Sequence, residues 1–169
     1  MSAAALHVVV MGVAGCGKSA VGARVATLLG LPLIEGDDFH PLANVEKMQR
    51  GEPLLDADRA DWLATLGQQL RAASTGAVLT CSALKRAYRD GLRAAQPGLR
   101  FVHLQISPDE SLRRVAARNA HFYPSSLVAS QFEALQSPEN EPFVLTLDGT
   151  IALEVLAQQA AKWLEGQSL

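Results

Sequence analysis

Leu6-His7-Val8-Val9-Val10-Met11-Gly12-Val13-Ala14-Gly15-Cys16-Gly17-Lys18-Ser19 is the stretch that decides the fold. Leu6 to Met11 is short, mostly apolar and β-branched, as expected of a strand buried in a parallel sheet. Gly12 to Ser19 is a complete G-x-x-x-x-G-K-S phosphate-binding loop. Ser19 to Leu29 is rich in Ala, Val and Leu and reads as a helix. The glycines let the backbone curl so that successive N–H groups point inward at phosphate oxygens. The helix N-terminus adds the positive end of its dipole. In such a loop the lysine, here Lys18, meets the β- and γ-phosphates, and the Ser19 hydroxyl is a ligand for Mg²⁺. A chance match in a glycine-rich turn would not bring a strand before it and a helix after it. The segment therefore reads as a nucleoside triphosphate site built from Gly12, Gly15, Cys16, Gly17, Lys18, Ser19 and Ala20.

Working outward, 169 residues suit one domain with a real core. Apolar residues make up 49% and charged residues 19%, which points to a compact fold rather than a disordered chain. The net charge of −2 gives no electrostatic case for nucleic acid or a membrane surface. No apolar run approaches the ~20 residues of a membrane span. The N-terminal apolar stretch runs straight into the phosphate loop, so it reads as the first strand and not as a signal peptide. Cys16 and Cys81 make neither a disulfide framework nor a metal site. A reducing compartment, the cytoplasm, is expected. Arg outnumbers Lys, which fits an anion-handling enzyme but equally a GC-rich genome, so each Arg is argued singly.

Strand-like runs recur at Leu6–Met11, Leu31–Ile34, Ala77–Thr80, Leu99–Ile106 and Phe143–Leu147, with helical patterns between them. That alternation predicts an α/β fold with a parallel sheet covered on both faces. Gly30 is placed to end the first helix, and Pro97-Gly98 breaks the chain before the fourth strand. Ser107-Pro108-Asp109-Glu110 predicts a helix start with Ser107 as cap and Glu110 completing a capping box. Ile151–Leu164 reads as an amphipathic closing helix. Two segments exceed a minimal sheet-and-helix core: about 36–61, and about 118–141. In α/β proteins ligands bind at the carboxyl ends of the strands, so these insertions are expected to be an acceptor-binding flap and a lid.

After the second strand comes Glu35-Gly36-Asp37-Asp38-Phe39-His40-Pro41. Phosphoryl transfer to a hydroxyl needs a carboxylate near the acceptor oxygen and oxygen ligands around Mg²⁺. Asp37 is the candidate for orienting and deprotonating the acceptor, and Glu35 for holding a metal-bound water. Asp38 is expected to cap the helix beginning near Pro41, and Asp56 the next one. His40 is placed to donate to a substrate hydroxyl or carboxylate. Asn44, Lys47 and Met48 fall on a short helix. Arg59, one turn into the following helix, is a candidate carboxylate clamp. The third strand ends in Thr80-Cys81-Ser82-Ala83-Leu84-Lys85 without the usual second metal carboxylate, a duty left to strand two. Lys85 and Arg89 are four apart and are expected to share a helix face, either toward an anionic acceptor or toward solvent. In the late insertion Arg118, His121 and Gln131 stand out. An Arg there can neutralise charge on the transferring phosphoryl group, with Arg113 and Arg114 as competitors.

Taken in order, these motifs resemble the gluconate kinase family of phosphate-loop small-molecule kinases. The carrying residues are Met11–Ser19, Glu35–Pro41, Asn44–Met48, Gly51–Leu54, Asp58-Arg59, Cys81–Lys85, Tyr88–Asp90, His121-Phe122 and Ser130–Leu135. The resemblance implies transfer of the γ-phosphate of ATP, with Mg²⁺, to the 6-hydroxyl of D-gluconate. It implies a three-layer fold like that of nucleoside-monophosphate and shikimate kinases, with a five-stranded parallel sheet of order 2-3-1-4-5, and it suggests a homodimer. It marks Lys18, Asp37 and Arg118 as catalytic. It assigns Arg114 and Arg118 to the nucleotide, and His40, Arg59, Lys85, Arg89, His121 and Gln131, with Asp37, to the acceptor. Family members often carry a basic residue and Gly where this chain has Asn119 and Ala120. Other acceptors, such as shikimate or a nucleoside monophosphate, are the nearest alternatives. A GTPase switch would need an Asn-Lys-x-Asp motif, which the sequence lacks. A regulatory module without turnover is disfavoured by the complete Lys18, Ser19 and Asp37 set.

Overall fold

Burial on both sides of one sheet organises the molecule. A computed structural model describes residues 5–118 and 124–167. Five parallel strands, β1 (Leu6–Met11), β2 (Leu33–Glu35), β3 (Gly76–Thr80), β4 (Arg100–Gln105) and β5 (Val144–Asp148), lie in the order β2-β3-β1-β4-β5. This is the expected order. Within β1, Val8 and Val10 face one way and Val9 and Met11 the other, and all four are fully buried. An unbroken apolar run is what a strand covered on both faces requires.

The first face is covered by α1 (Lys18–Leu29) and α7 (Leu153–Gln167), through Val21, Val25, Leu156, Ala160 and Leu164. The second face is covered by α3 (Asp56–Ala72) and α4 (Arg86–Ala95), through Trp62, Leu66, Leu70 and Leu92. Each fully buried aliphatic side chain of this kind contributes about 1.5–3 kcal/mol. The remaining helices, α2 (Leu42–Gln49), α5 (Pro108–Ala117) and α6 (Val128–Ala134), stand beside the carboxyl ends of the strands.

Local signals account for several ends. Gly30, at φ 67°, closes α1, and its N–H reaches back to the Ala26 and Thr27 carbonyls. Ser107 caps α5, its Oγ accepting from the Glu110 N–H at 3.1 Å. The Glu110 side chain does not complete a capping box but pairs with Arg113 and Arg114. Two expected caps are corrected. Asp38 lies exposed in a 3₁₀ turn over Gly36–Phe39, and α2 begins after Pro41 with no side-chain cap. Asp56 is inside α3; the cap is Leu55, whose N–H donates to Asp58 Oδ2 at 2.7 Å.

Candidate active site

The strand ends and the insertions beside them enclose a cleft of about 340 Å³. Ala14, Gly15, Gly17, Lys18, Ser19 and Ala20 line it from the phosphate loop and the start of α1, and Asp37, His40, Arg59 and Trp62 from the segment after β2 and from α3. Met48, Leu54, Val115 and Leu127 supply an apolar lining, with Arg118, Ser130 and Gln131 at the rim of the late insertion.

The phosphate loop takes its shape from backbone geometry that only glycine enters freely. Gly12, at φ 149°, has no room for a Cβ, which would stand 2.6 Å from Cys16 Sγ and 2.7 Å from the Leu104 carbonyl. Gly12 and Cys16 are therefore the packed underside of the loop and do not line the cleft. The Cys16 N–H donates to Val13 O at 3.2 Å. The loop is buttressed from three directions. Gly12 N–H donates to Ser82 O at 3.3 Å, Ala14 N–H to Gln131 Oε1 at 2.6 Å, and Ser111 Oγ to Ala14 O at 2.7 Å. No described residue forms an ion pair with Lys18.

Beside Lys18, Ser19 Oγ donates to Glu35 Oε2 at 3.0 Å, and Thr80 Oγ1 donates to the same oxygen at 2.7 Å. Glu35 thus bridges the start of α1 and the end of β3. Gly36 makes this junction: a Cβ there would stand 2.2 Å from the Thr80 carbonyl oxygen. The donor set is all oxygen, two hydroxyls and a carboxylate at a phosphate cradle. That suits a hard cation which keeps much of its water and takes phosphate oxygens, as Mg²⁺ does.

Where the segment after β2 meets α3, Trp62 Nε1–H donates to Gly36 O at 2.8 Å, and the His40 ring stacks on Trp62 with centroids 4.0 Å apart. His40 Nε2 stands 3.8 Å from Asp37 Oδ1. Burial pushes the His40 pKa below its ordinary value, Asp37 opposes this, and the Arg59 charge adds to the lowering. His40 is therefore neutral near pH 7. Arg59 Nη1 donates to Leu54 O at 2.7 Å and to Tyr88 Oη at 3.3 Å, which leaves Nε and Nη2 without a hydrogen-bond partner among the described residues, and Arg59 lines the cleft.

Several expected site residues do other work. Arg89 is fully buried, and its five N–H groups are all taken: Glu141 Oε1 and Oε2 at 2.8 and 2.6 Å, Ala83 O, Leu84 O and Gln136 O. It cannot reach an acceptor and instead secures the turn after β3, where Ala83 sits at φ 47°. Lys85 does not share its face, because Lys85 is the non-helical cap residue of α4. Its Nζ donates to Asp56 Oδ1 at 2.9 Å beside the Tyr88 ring, and it does not line the cleft. Tyr88 Oη also donates to that Asp56 oxygen.

Arg114 likewise turns to the protein. Its Nη1 donates to Gly15 O and its Nη2 to Gly149 O, both at 3.0 Å, so it braces the loop from outside the cleft. Gln131 lines the cleft, but its Oε1 is committed to the loop N–H of Ala14. Arg118 is exposed at the end of α5 and lines the cleft. His121, with Asn119 and Ala120, lies outside the described residues.

Trp62, Thr80 and Asn44 are site residues that the sequence reading did not single out for chemistry. Trp62 was within reach, since it stands three residues after Arg59 on one helix. Thr80 is the last residue of β3, at the carboxyl edge where ligands bind.

The profile of a family described as an AAA domain matches residues 8–142. Over 162 residues the chain is 44% identical to a gluconokinase of Gluconobacter oxydans, covering 94% of this chain and 91% of that protein. The crystal structure of a gluconokinase from Sinorhizobium meliloti superposes with a TM-score of 0.90 at 42% identity, over 99% of this chain and 95% of that one. A shikimate kinase from Aquifex aeolicus shares the fold, with a TM-score of 0.69 at 16% identity over 97% of this chain and 99% of that one.

Proposed function

The chain belongs to the gluconokinase family, and from that premise we propose a division of labour among the residues of its cleft. The activity is ATP-dependent phosphoryl transfer to gluconate. The observation that carries the site reading is the layout of the cleft. Lys18 and Ser19 line the same cavity of about 340 Å³ as Asp37, His40 and Arg59.

The backbone N–H groups of the loop and Lys18 hold the phosphates and meet the charge that develops on the transferring group. Ser19 and, through water, Glu35 hold Mg²⁺, which neutralises phosphate charge when bound. Asp37 accepts the proton of the acceptor hydroxyl, assigned here to the 6-position of gluconate. Arg59 pairs with the acceptor carboxylate through its Nε and Nη2, since its Nη1 is fixed by Leu54 and Tyr88. Arg118 neutralises charge at the γ-phosphoryl group from the lid side. Segment 36–61 serves as the acceptor flap and 118–141 as the lid over a single domain, 1–169.

We further propose a homodimer, on the family resemblance. Among the described residues no helix is long and apolar enough to cross a membrane. Both cysteines are free and buried, which supports a reducing, cytoplasmic setting.

The test is ADP release with ATP and Mg²⁺ against gluconate, related sugar acids, glucose, shikimate and nucleoside monophosphates. Turnover with gluconate well above the others is expected. Preference for shikimate or a nucleoside monophosphate would overturn the acceptor assignment. Sedimentation of the purified chain tests the dimer.

A further inference from the structure

His40 has two ring nitrogens, and its surroundings distinguish them. Asn44 is buried at the start of α2. Its Nδ2 stands 2.9 Å from the backbone carbonyl of Asp58 and 3.3 Å from His40 Nδ1. A carbonyl oxygen only accepts, so the Asp58 carbonyl fixes which end of the Asn44 amide faces it. The NH₂ group must lie there, and its second hydrogen then points at His40 Nδ1. That nitrogen must present a lone pair. The proton of the neutral ring is left on Nε2, which faces the cleft. Trp62 holds the ring plane from the other side, stacked at 4.0 Å and itself anchored to Gly36 O. Among the described residues no acceptor lies within hydrogen-bond distance of Nε2; Asp37 Oδ1, at 3.8 Å, is too far.

We propose that Asn44 locks His40 as the Nε2–H tautomer, a neutral donor to an oxygen of the acceptor, and so leaves proton acceptance to Asp37. This rests on the acceptor site proposed above. A protonated Nε2 cannot take the hydroxyl proton, so His40 is a specificity-determining donor and Asn44 a positioning residue acting through it. Burial, which holds His40 neutral, supports the same assignment.

The decisive measurement is a long-range ¹H–¹⁵N spectrum of the protein labelled at histidine, recorded without ligands at mildly alkaline pH. The His40 signals are assigned by their loss in His40→Gln. The Nε2–H pattern is expected, and an Nδ1–H pattern overturns the proposal. Asn44→Leu removes the donor and is expected to lose the pure Nε2–H pattern. A folded Asn44→Leu protein that keeps the pure Nε2–H form also overturns the lock.

Kinetics separate donor from base. His40→Gln keeps an N–H near the position of Nε2 and cannot accept a proton at neutral pH. His40→Leu keeps neither. His40→Gln is expected to exceed His40→Leu in kcat/KM for gluconate by roughly 10-fold to 100-fold, with the KM for ATP unmoved in both. Equal collapse of the two variants would make His40 a base and refute the assignment. A parent protein that shows the Nε2–H pattern but ignores gluconate would sink the proposed function while upholding the lock.

Discussion

Replacing Arg89 by Met is the sharpest test of the reassignment of this residue from acceptor binding to scaffold. Arg89 has no exposed surface, and the Glu141 side chain is 3% exposed. The substitution removes five hydrogen bonds at once. It leaves the Ala83, Leu84 and Gln136 carbonyls without this donor and Glu141 without its bidentate partner. Removing one member of a buried pair costs about 3–5 kcal/mol. Arg93 moderates the loss, since its Nη2 stays 2.9 Å from Glu141 Oε1. That contact is misdirected, however: Arg93 Nη2 is buried without a geometrically sound hydrogen bond. A cost near the lower end, about 3 kcal/mol, is therefore expected. For a chain of this size that lowers Tm by roughly 6–12 °C.

The loss should depend on pH. Burial alone would raise the Glu141 pKa, but the bonds from Arg89 and the nearby Arg93 charge outweigh it and hold the carboxyl below its ordinary value. A depressed pKa contributes stability above the unfolded value, and that stability is lost as pH falls through the folded one. In the variant the depressing bonds are fewer, so protonating Glu141 becomes easier and relieves the buried charge. The gap between parent and variant should narrow between pH 7 and about 4. Urea unfolding at several pH values measures this, with gluconate KM measured on the folded fraction. A variant as stable as the parent but defective in gluconate KM would refute the scaffold reading and return Arg89 to the acceptor site.

Other outcomes follow from the cleft. Lys18→Ala should lower turnover on the order of 10²-fold or more with the fold intact by circular dichroism, because it removes a preorganised charge from the phosphate cradle; near-normal turnover would move the ATP site elsewhere. Asp37→Asn should lower kcat by roughly 10²–10⁴-fold while ATP binding, measured by calorimetry, is little changed. An Asp37→Asn enzyme with full kcat would leave the proton without its acceptor. Arg59→Ala should weaken gluconate by about 2 kcal/mol, the low end for a clamped carboxylate, since Arg59 is only half-buried. Glucose, lacking the carboxylate, should be a very poor substrate of the parent and unaffected by this change. Equal kcat/KM for glucose and gluconate in the parent would remove the clamp.

The sequence by itself determined the sheet, the phosphate loop and the family. These rest on short-range signals: apolar runs of strand length, a fixed loop spacing with its glycines, and motif order along the chain. Lys18, Ser19, Asp37, His40 and Arg59 were legible for that reason, and the structure brings all of them to one cleft. What the tertiary structure alone decided is where long polar side chains point. Spacing put Lys85 and Arg89 on one face, but Lys85 precedes the first helical residue and turns outward to Asp56, while Arg89 turns inward to Glu141, fifty-two residues on. Arg114 and Gln131 read as ligand contacts, yet each is tied to a loop atom about a hundred residues away or more. A buried guanidinium or amide must satisfy each of its polar atoms, and the carbonyls and carboxylates that do so are supplied by chain distant in sequence. No local pattern carries that information. The tautomer of His40 is the same case, set by an amide that is itself oriented by a carbonyl of the next helix.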